Sequence, residues 1–394
     1  MTRNRRRRIL FCDHTVSMSG GEIALLNLVR HLDRTRFDPV AVLFAHGPLK
    51  DRLREAGVPV HEVLLDRRVS DVRKDALGGA GIARSMLAPS ALPFVLGLRR
   101  LVRRTGADIV HTNSLKSDIL GGVAARLAGR PLIWHIRDRI ADDYLPPTAA
   151  RLVRLLCRVV PQRIIANSAA TLETLALPAS MTCGPRRRAF VVHDGMEVTQ
   201  PPSAPAPGPP RIGLVGRIAP WKGQHVFLDA AAAVRRSFAE ARFVIVGTTM
   251  FGEEAYERRV RAQCTALGLD DVVEFTGFVE DVSSVYASLT VLVHASTVPE
   301  PFGQVVLEGM MAARPVVATR GGGVVEIVED GTTGMLVPMS DASAMAEAIL
   351  KLLREPELAG DMAQRGRERA VAHFDIRDTA RNVEAVYDSL LAAE

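Results

Sequence analysis

The sequence has few cysteines, only four in 394 residues, and they lie far apart along the chain. Cys12, Cys157, Cys183 and Cys264 show neither the close pairs of a zinc site nor the density of a disulfide framework. Such spacing indicates reduced thiols, which are typical of the cytosol. The sequence therefore argues against a disulfide-stapled secreted domain and against a cysteine-bound metal.

Long hydrophobic runs are also lacking. After the basic start MTRNRRRR, the apolar run ILFC ends at Asp13 and is too short for a signal peptide. The mostly apolar stretch from Ala76 to Leu98 is interrupted by Arg84, Pro89 and Pro93, so it does not predict a membrane span. We therefore expect a cytoplasmic protein.

Lysine is scarce, and the charge is divided unevenly between the halves of the chain. Residues 1–200 carry 32 Lys and Arg against 18 Asp and Glu, whereas residues 201–394 carry 18 against 26. The basic first half is either an ordinary solvated surface or a surface that faces something anionic, such as a lipid surface or a phosphorylated acceptor. In the second case the protein is expected to bind the cytoplasmic face of a membrane peripherally.

Short apolar or β-branched runs alternate with longer helix-like segments in both halves, which is typical of parallel sheets flanked by helices. Between the halves, the proline-rich stretch TQPPSAPAPGPPR predicts a linker or an extended hinge. The length suits two cores, so we predict two Rossmann-like α/β domains. The predicted strands are Arg8–Cys12, Val40–Phe44, Asp108–His111, Leu132–Ile136, Arg163–Ala166 and Phe190–Val192, then Ile212–Val215, Arg242–Val246, Val272–Phe275, Val291–Val293, Val316–Ala318 and Met335–Val337.

Parallel sheets bind ligands beyond the carboxyl ends of their strands, on the loops and helix starts that follow. Gly20 and Gly21 open a helix after the first strand, where a ligand can approach the backbone, although a plain turn is the commoner reason for such a pair. After the linker, the stretch VGRIAPWKG places Gly216, Arg217 and Lys222 at the end of a strand. These two cations either converge on one anion, for which lysine is a compact point charge, or remain loop residues exposed to solvent.

The stretch VPEPFGQVVLEGM contains two glutamates in apolar surroundings, where a carboxylate needs a partner. A helix that begins near Gly303 would offer the free amides of residues 303–306 to an anion. A carboxylate beside a bound phosphate is repelled, so Glu300 and Glu308 are predicted to accept hydrogen bonds from neutral sugar hydroxyls. An ion pair between Glu308 and Arg314 is the alternative.

Together these stretches resemble the retaining glycosyltransferases of family 4, whose fold is called GT-B. The resemblance covers nearly the whole chain and rests on GGEIALLNLVRHL, ADIVHTNS, RIIANSAAT, VGRIAPWKG, EFTGFVEDV, EPFGQVVLEGMMAARPVVAT and HFD, which occur in family order. It implies two Rossmann-like domains whose parallel sheets face each other across a cleft. The expected parts are an acceptor-binding domain at 1–198, a hinge at 199–210, a nucleotide-sugar-binding domain at 211–373 and a C-terminal helix at 374–394 that crosses back to the first domain.

The resemblance also implies a role for each matching residue. The catalytic residues would be His135, Glu300, Arg217 and Lys222, with the two cations gripping the donor diphosphate as it leaves. The donor-binding residues would be Gly20, Gly21, Gly216, Arg217, Lys222, Phe278, Val279, Glu300, Phe302, Gly303, Gln304, Val305, Val306 and Glu308. The acceptor-side residues would be His111, Asn113, His135, Arg137 and Asp138. The family often has a glycine or aspartate soon after the position of His135, whereas this chain has IRD there.

The implied reaction moves a sugar from a nucleotide diphosphate, UDP first and GDP next, to a hydroxyl of a lipid, glycan or natural product, with retention. No D-x-D triplet occurs in the sequence, so we expect no metal and no cofactor, the nucleotide sugar being a substrate. The rivals are a nucleotide-sugar epimerase of similar fold and a basic membrane-associated binding protein with arginines on one helical stripe (Arg151, Arg154, Arg158). No nucleic-acid motif accompanies those arginines, so no nucleic-acid partner is expected.

Overall fold

Two parallel β-sheets organise the chain, one in each of two structural units. The computed structural model describes residues 5–66, 91–201, 208–250 and 252–392. The first unit contains the chain up to Glu197 together with the segment from Ile376 onwards, and the second unit extends from Val198 to Asp375. The first unit is therefore discontinuous in sequence, because its last helix follows the whole second unit.

The sheet of the first unit has the spatial order β3-β2-β1-β4-β5-β6-β7, and every pair of neighbouring strands is parallel. Its strands are β1 (Arg7–Asp13), β2 (Phe37–Leu43), β3 (Val60–Glu62), β4 (Ile109–Thr112), β5 (Leu132–Ile136), β6 (Arg163–Ala166) and β7 (Ala189–Val191). The described helices between them are α1 (Gly20–His31), α2 (Leu49–Glu55), α3 (Ala91–Thr105), α4 (Leu115–Ala128), α5 (Pro147–Val159), α6 (Ala169–Thr174) and α7 (Ala179–Thr182).

The sheet of the second unit has the order β10-β9-β8-β11-β12-β13 and is parallel throughout. Its strands are β8 (Arg211–Val215), β9 (Arg242–Val246), β10 (Val273–Gly277), β11 (Val291–His294), β12 (Val316–Thr319) and β13 (Met335–Val337). The helices are α8 (Gln224–Ser237), α9 (Glu254–Ala266), α10 (Ser283–Ser288), α11 (Gln304–Met311), α12 (Val324–Ile327), α13 (Ala342–Arg354) and α14 (Pro356–His373), and a 3₁₀ turn covers Pro220–Lys222.

In both sheets the strand order reverses beside the strand that comes first in the chain. The reversal lies between β1 and β4 in the first unit and between β8 and β11 in the second. At such a reversal the connecting helices leave to opposite faces of the sheet, which opens a crevice at the carboxyl ends of the strands. The loops that follow these four strands are therefore the places where the fold prepares a ligand site.

The central strands are buried on both faces, which explains their continuous apolar sequences. On one face of the first sheet, Leu10 and Cys12 pack in a cluster with Trp134, while Ile9 and Phe11 on the other face pack beneath α1. Fully burying a side chain of this size contributes about 1.5–3 kcal/mol. Both layers of the unit are thus held by alternate residues of β1.

The last helix, α15 (Ile376–Leu391), belongs to the first unit. The core beneath α1 is completed by buried apolar side chains of this helix, namely Ala380, Val383, Val386, Tyr387 and Leu390. The Ile376 amide donates to the Met196 carbonyl over 2.9 Å, and the Thr379 hydroxyl donates to the His193 carbonyl over 2.9 Å. These bonds fix the start of the helix against the segment that follows β7.

The predicted fold, two α/β domains with one parallel sheet each, is confirmed. Each predicted strand overlaps an observed one, but β3 is an additional strand, because Val60–Glu62 has no apolar run to reveal it. Strand β2 also starts earlier than predicted and contains Pro39, which lies before the point where β3 begins to pair at Ala41. The linker prediction falls partly on residues 202–207, which lie outside the described residues.

None of the helices in the described part of the chain is both long enough and apolar enough to span a bilayer.

Candidate active site

The end of β8 carries the first candidate residues of the second unit, Gly216 and Arg217. The Arg217 guanidinium forms an ion pair with Glu253, with 3.3 Å between Nε and Oε2, and its central carbon lies 5.5 Å from the centre of the Trp221 ring. The Gln224 side chain donates to the Arg217 carbonyl over 2.9 Å. Glu253 was not predicted, since nothing in the sequence before α9 distinguishes it from a surface glutamate.

Lys222 is presented by the 3₁₀ turn Pro220–Lys222, which ends at Gly223. Gly223 has φ +71°, and a Cβ atom there would lie 1.9 Å from the Ala295 carbonyl oxygen, so only glycine fits. The ammonium lies 4.5 Å from the centre of the Trp221 ring, within the range of a cation–π contact. The turn thus holds Lys222 against the residues that follow β11.

Glu300 is the partner of Lys222, with 2.7 Å between Nζ and Oε1. The same carboxylate oxygen lies 2.9 Å from Nε2 of His294 and accepts a hydrogen bond from the Ser296 hydroxyl. Burial opposes ionisation of Glu300, but Lys222 and His294 outweigh this effect and hold its pKa well below the usual range. Glu300 is therefore a buried, ionised carboxylate whose charge is balanced by one lysine.

Sequence reasoning placed Lys222 and Glu300 in one site but did not foresee that they would pair, and it missed His294 and Ser296. Both missed residues lie at the carboxyl end of β11, in the stretch VHAS. Polar side chains at the end of an otherwise apolar strand were the available signal. His294 is fixed in turn by the Thr319 hydroxyl, 3.2 Å from Nδ1, so the polar cluster extends to the end of β12.

Helix α11 begins after Gly303, which has φ +114° and allows the sharp entry from Pro301 and Phe302. The Val306 amide donates back to the Gly303 carbonyl over 3.0 Å. The prediction that this amide is free is therefore wrong, because the first turn of the helix closes with a tight i to i−3 hydrogen bond. Gln304 and Val305, the other residues of this segment that were predicted to bind the donor, are the first two residues of the helix.

Glu308 lies one turn further along α11 and receives a hydrogen bond of 2.5 Å from the Tyr286 hydroxyl of α10. Burial raises the pKa of this carboxyl, although the bonds from Tyr286 and Gln304 and the charge of Lys222 oppose the shift. The observed partner is thus a tyrosine, and not the Arg314 that the alternative interpretation proposed. Tyr286 was missed because it lies 22 residues earlier in a segment that reads as core.

Phe278 and Val279 follow β10 and lie in the loop before α10. Phe278 is 68% exposed, whereas Val279 is half-buried. Their contact with the donor stays a prediction.

In the first unit, the loops after β1, β4 and β5 form a second polar cluster. Asp13 is fully buried and accepts hydrogen bonds of 2.7 Å from Asn113 and from Ser114. The Asn113 amide also donates to the Gly21 carbonyl over 3.2 Å, and Arg137 donates through Nε to Asn113 over 2.8 Å. Asn113 and Arg137, which were predicted on the acceptor side, are therefore brought together with Gly21, which was predicted to bind the donor.

Arg137 is buried and forms an ion pair with Asp194, which offsets the cost of burying its charge. Asp13 and Asp194 were both missed, since each is an isolated aspartate after a strand. Two predicted residues stand apart from this cluster. Gly20 is exposed at the first position of α1, and Asp138 accepts a hydrogen bond of 2.8 Å from Tyr144.

His111 and His135 lie next to each other on β4 and β5, fully buried, with 3.1 Å between Nε2 of His111 and Nδ1 of His135. The other ring nitrogen of His111 lies 2.8 Å from the Tyr387 hydroxyl of α15. Burial, assisted by the charge of Arg137, lowers the pKa of His111 to about 3 and lowers that of His135 well below its usual value. Both rings are therefore neutral at physiological pH.

Glu22 is a further buried carboxyl that the sequence analysis did not select. It accepts hydrogen bonds from the amide and the hydroxyl of Ser19 and so forms a capping box at the start of α1. Burial and the nearby charge of Asp13 raise its pKa to about 7. Its protonation therefore changes near neutral pH, directly beside Gly21.

Comparison with known proteins identifies the family of the chain. Residues 197–369 match the family model described as glycosyl transferases group 1, and residues 19–195 match a glycosyl transferase 4-like domain. The phosphatidyl-myo-inositol mannosyltransferase of Mycobacterium leprae is 33% identical over 390 residues, which are 97% of this chain and 96% of that protein. The chain belongs to the glycosyl transferases group 1 family, and it is a glycosyltransferase with the GT-B fold.

Two further comparisons differ in extent. The lipopolysaccharide core biosynthesis mannosyltransferase LpcC of Rhizobium leguminosarum bv. viciae is 32% identical over 185 residues, 47% of this chain, which spans about half (52%) of that protein. The crystal structure of Anabaena Alr3699/HepE in complex with UDP and glucose superposes with a TM-score of 0.82 and 26% identity, covering 98% of this chain and 100% of HepE.

The raised pKa of Glu22 predicts a pH-dependent effect of Glu22→Gln, which keeps the capping box because glutamine serves at this position too. Above the ordinary value of 4.5, the unfolded chain releases the Glu22 proton, whereas the folded chain holds it until about pH 7. The free energy of unfolding of the wild type therefore falls by up to about 3 kcal/mol as the pH rises through this window. We expect the melting temperature of Glu22→Gln, relative to wild type, to rise between pH 5 and pH 8. Glu55→Gln, at an exposed position of α2, is the matched control. A difference in melting temperature between Glu22→Gln and wild type that stays the same from pH 5 to pH 8 would contradict the assignment.

Proposed function

We propose that the protein is a retaining, metal-independent glycosyltransferase that moves a sugar from a nucleotide diphosphate, UDP in the first place, to a hydroxyl of a lipid, glycan or natural-product acceptor. The observation that carries the proposal is the buried pair of Lys222 and Glu300 beside Arg217. This pair combines a cationic group for a diphosphate with an ionised acceptor of hydrogen bonds for sugar hydroxyls.

The chemistry follows from the charges in the second unit. Cleavage of the bond between sugar and diphosphate leaves negative charge on the departing phosphate, and preorganised cations stabilise it most where water is excluded. Lys222 has three donors, so its contact with Glu300 leaves others for phosphate oxygens. Arg217 supplies a second cation at the same strand end. We therefore assign stabilisation of the leaving group to these two residues, without a metal.

The carboxylates suit sugar binding rather than hydrolysis. Because the pKa of Glu300 is held low, this carboxylate stays ionised and can accept hydrogen bonds from hydroxyls, but it cannot act as a general acid. Glu308 is held by Tyr286 in a fixed orientation and is assigned to the diol of the ribose. The two carboxylates lie in one loop and its helix, unlike the pair that flanks the bond in a glycosidase.

UDP is preferred over GDP in this proposal for two reasons. UDP-sugars are the leading donors implied by the family, and HepE, whose structure covers this chain almost completely, was crystallised with UDP and glucose. The two mannosyltransferase relatives are named for lipid-linked acceptors, phosphatidyl-myo-inositol and lipopolysaccharide core. These names favour a lipid or glycan acceptor, and the four free cysteines suit the cytoplasm as the compartment.

Substitution of either member of the buried pair tests the proposed catalysis. We expect Lys222→Ala and Glu300→Ala to lower kcat/KM for sugar transfer about 100-fold or more, because each removes a group directed at the donor. Turnover is followed as release of nucleoside diphosphate in the presence of a chelator, and the anomeric configuration of the product is read by NMR. Lys351→Ala, at an exposed position near the end of α13, is the matched control. Wild-type rates in both variants would end the catalytic assignment, and an inverted product would end the retaining one.

Nucleotide binding tests the donor separately. We expect UDP to raise the melting temperature more than GDP or ADP does at equal concentration, since a ligand at 100 times its Kd stabilises by about 2.7 kcal/mol. Glu308→Gln should reduce the shift, because an amide accepts only through one oxygen. A larger shift with GDP would overturn the preference for UDP, and formation of an isomeric sugar nucleotide without acceptor would favour the epimerase.

Peripheral membrane contact is proposed as an added property of the first unit. Leu155 and Val159 on α5 are 55% and 62% exposed and lie on one helical face with Arg151. Arg154 and Arg158, the other members of the predicted arginine stripe, donate to the carbonyls of Thr174 and Ala176 and are held against the protein. The apolar pair and Arg151 therefore carry this proposal.

Vesicle flotation tests this property. We expect the wild type to bind vesicles of anionic phospholipid at low salt and to be released by salt, because screening weakens the electrostatic attraction. Leu155→Ser combined with Val159→Ser should weaken binding, whereas Leu267→Ser, an exposed leucine of the second unit, should not. No binding at low salt would remove the membrane from the proposal.

A further inference from the structure

A series of hydrogen-bonded, buried side chains connects α15 to the end of β5. The Tyr387 hydroxyl lies 2.8 Å from Nδ1 of His111, and Nε2 of His111 lies 3.1 Å from Nδ1 of His135. Nη2 of Arg137 lies 3.4 Å from the same Nδ1 of His135. All four residues are buried, so neighbouring side chains, and not solvent, determine which ring nitrogen carries each proton.

The position of each proton follows from Arg137. A guanidinium only donates hydrogen bonds, so Nδ1 of His135 must accept. Because both rings are neutral, Nε2 of His135 carries the proton. Nε2 of His111 must also donate to Nδ1 of His135, which leaves Nδ1 of His111 as an acceptor. The Tyr387 hydroxyl is therefore the donor in its hydrogen bond with Nδ1 of His111.

The N–H group of His135 that results has no hydrogen-bond partner among the described residues, although it is buried. A buried donor left without a partner costs about 1–3 kcal/mol. The same residue borders the cluster of Asn113, Gly21 and Arg137 at the carboxyl edge of the sheet, where the fold prepares a ligand site. An oxygen atom of a bound molecule would satisfy this donor.

We propose that Tyr387 is a positioning residue that acts through His111 to keep the proton of His135 on Nε2, which makes His135 a hydrogen-bond donor to an oxygen of the bound substrate. His135 is then not the base that removes the proton of the acceptor hydroxyl, because the nitrogen that faces the ligand is already protonated. The role in substrate binding rests on the proposed function, whereas the positions of the protons do not.

The positions of the protons are measured directly by NMR of the full chain with ¹⁵N-labelled histidine. The sequence has ten histidines, and the two signals are assigned by their loss in His111→Gln and His135→Gln. At neutral pH we expect both rings to be neutral and protonated at Nε2. A charged His135, or a proton on its Nδ1, would overturn the proposal without any variant of Tyr387.

The role of Tyr387 is tested with Tyr387→Phe, which removes the hydroxyl and keeps the ring that packs 5.3 Å from Phe37. We expect the His111 signals to change to a mixture of tautomers, the His135 signals to shift, and kcat to fall about 10-fold, while KM for the sugar nucleotide changes less than about twofold. A fall in kcat with a nearly unchanged KM indicates that His135 is misplaced, whereas a raised KM would indicate a lost affinity for the sugar nucleotide.

Tyr256→Phe is the matched control, because Tyr256 makes the same kind of bond, 2.8 Å long, to Nδ1 of His225 in the second unit. It should leave kcat and both His111 and His135 signals unchanged. If Tyr387→Phe lowers only the melting temperature and leaves tautomers and kcat as in wild type, Tyr387 is merely structural and the proposal fails. If the wild type transfers no sugar while its histidines are protonated as assigned, the proposed function fails and the assignment of the protons stands.

Discussion

The buried ion pair of Lys222 and Glu300 is the interaction around which the candidate site of the second unit is organised. A carboxylate in this position would be expensive to bury alone, and one lysine, one histidine and one serine share the task of compensating it. Such a pair adds little net stability compared with an apolar replacement. Under the proposed function, its value lies in placing a cation and an anion at fixed positions after β8 and β11, where they can bind a ligand that carries both phosphates and hydroxyls.

Much of the fold could be predicted from the sequence because its strands are buried on both faces. A strand such as β11 reads as a continuous apolar run, and the glycines that follow β8 and β11 mark sharp turns. The edge strand β3 could not be predicted, because its half-exposed residues carry no pattern. Glu300, Glu308, Lys222 and Arg217 could be selected because charged side chains stand out against these apolar runs.

The partners of those residues were harder to predict, because contacts between distant segments leave no local signal. Tyr286 reaches Glu308 from another helix, and Tyr387 reaches His111 from 276 positions later in the chain. Asp13 and Asp194 look like ordinary loop residues until the sheet brings their loops together. The sequence therefore identifies the groups that carry charge, whereas the structure identifies the side chains that contact them.

The discontinuous first unit has a consequence for synthesis on the ribosome. Its strands are complete by Val191, but the helix that covers one face of the sheet begins only at Ile376. During translation, the apolar face that includes Ile9 and Phe11 must wait, partly uncovered, while the entire second unit is made. The second unit is continuous and can fold as soon as it emerges. The half that is translated first is thus the half that matures last, and termination before Ile376 would leave that half exposed to aggregation.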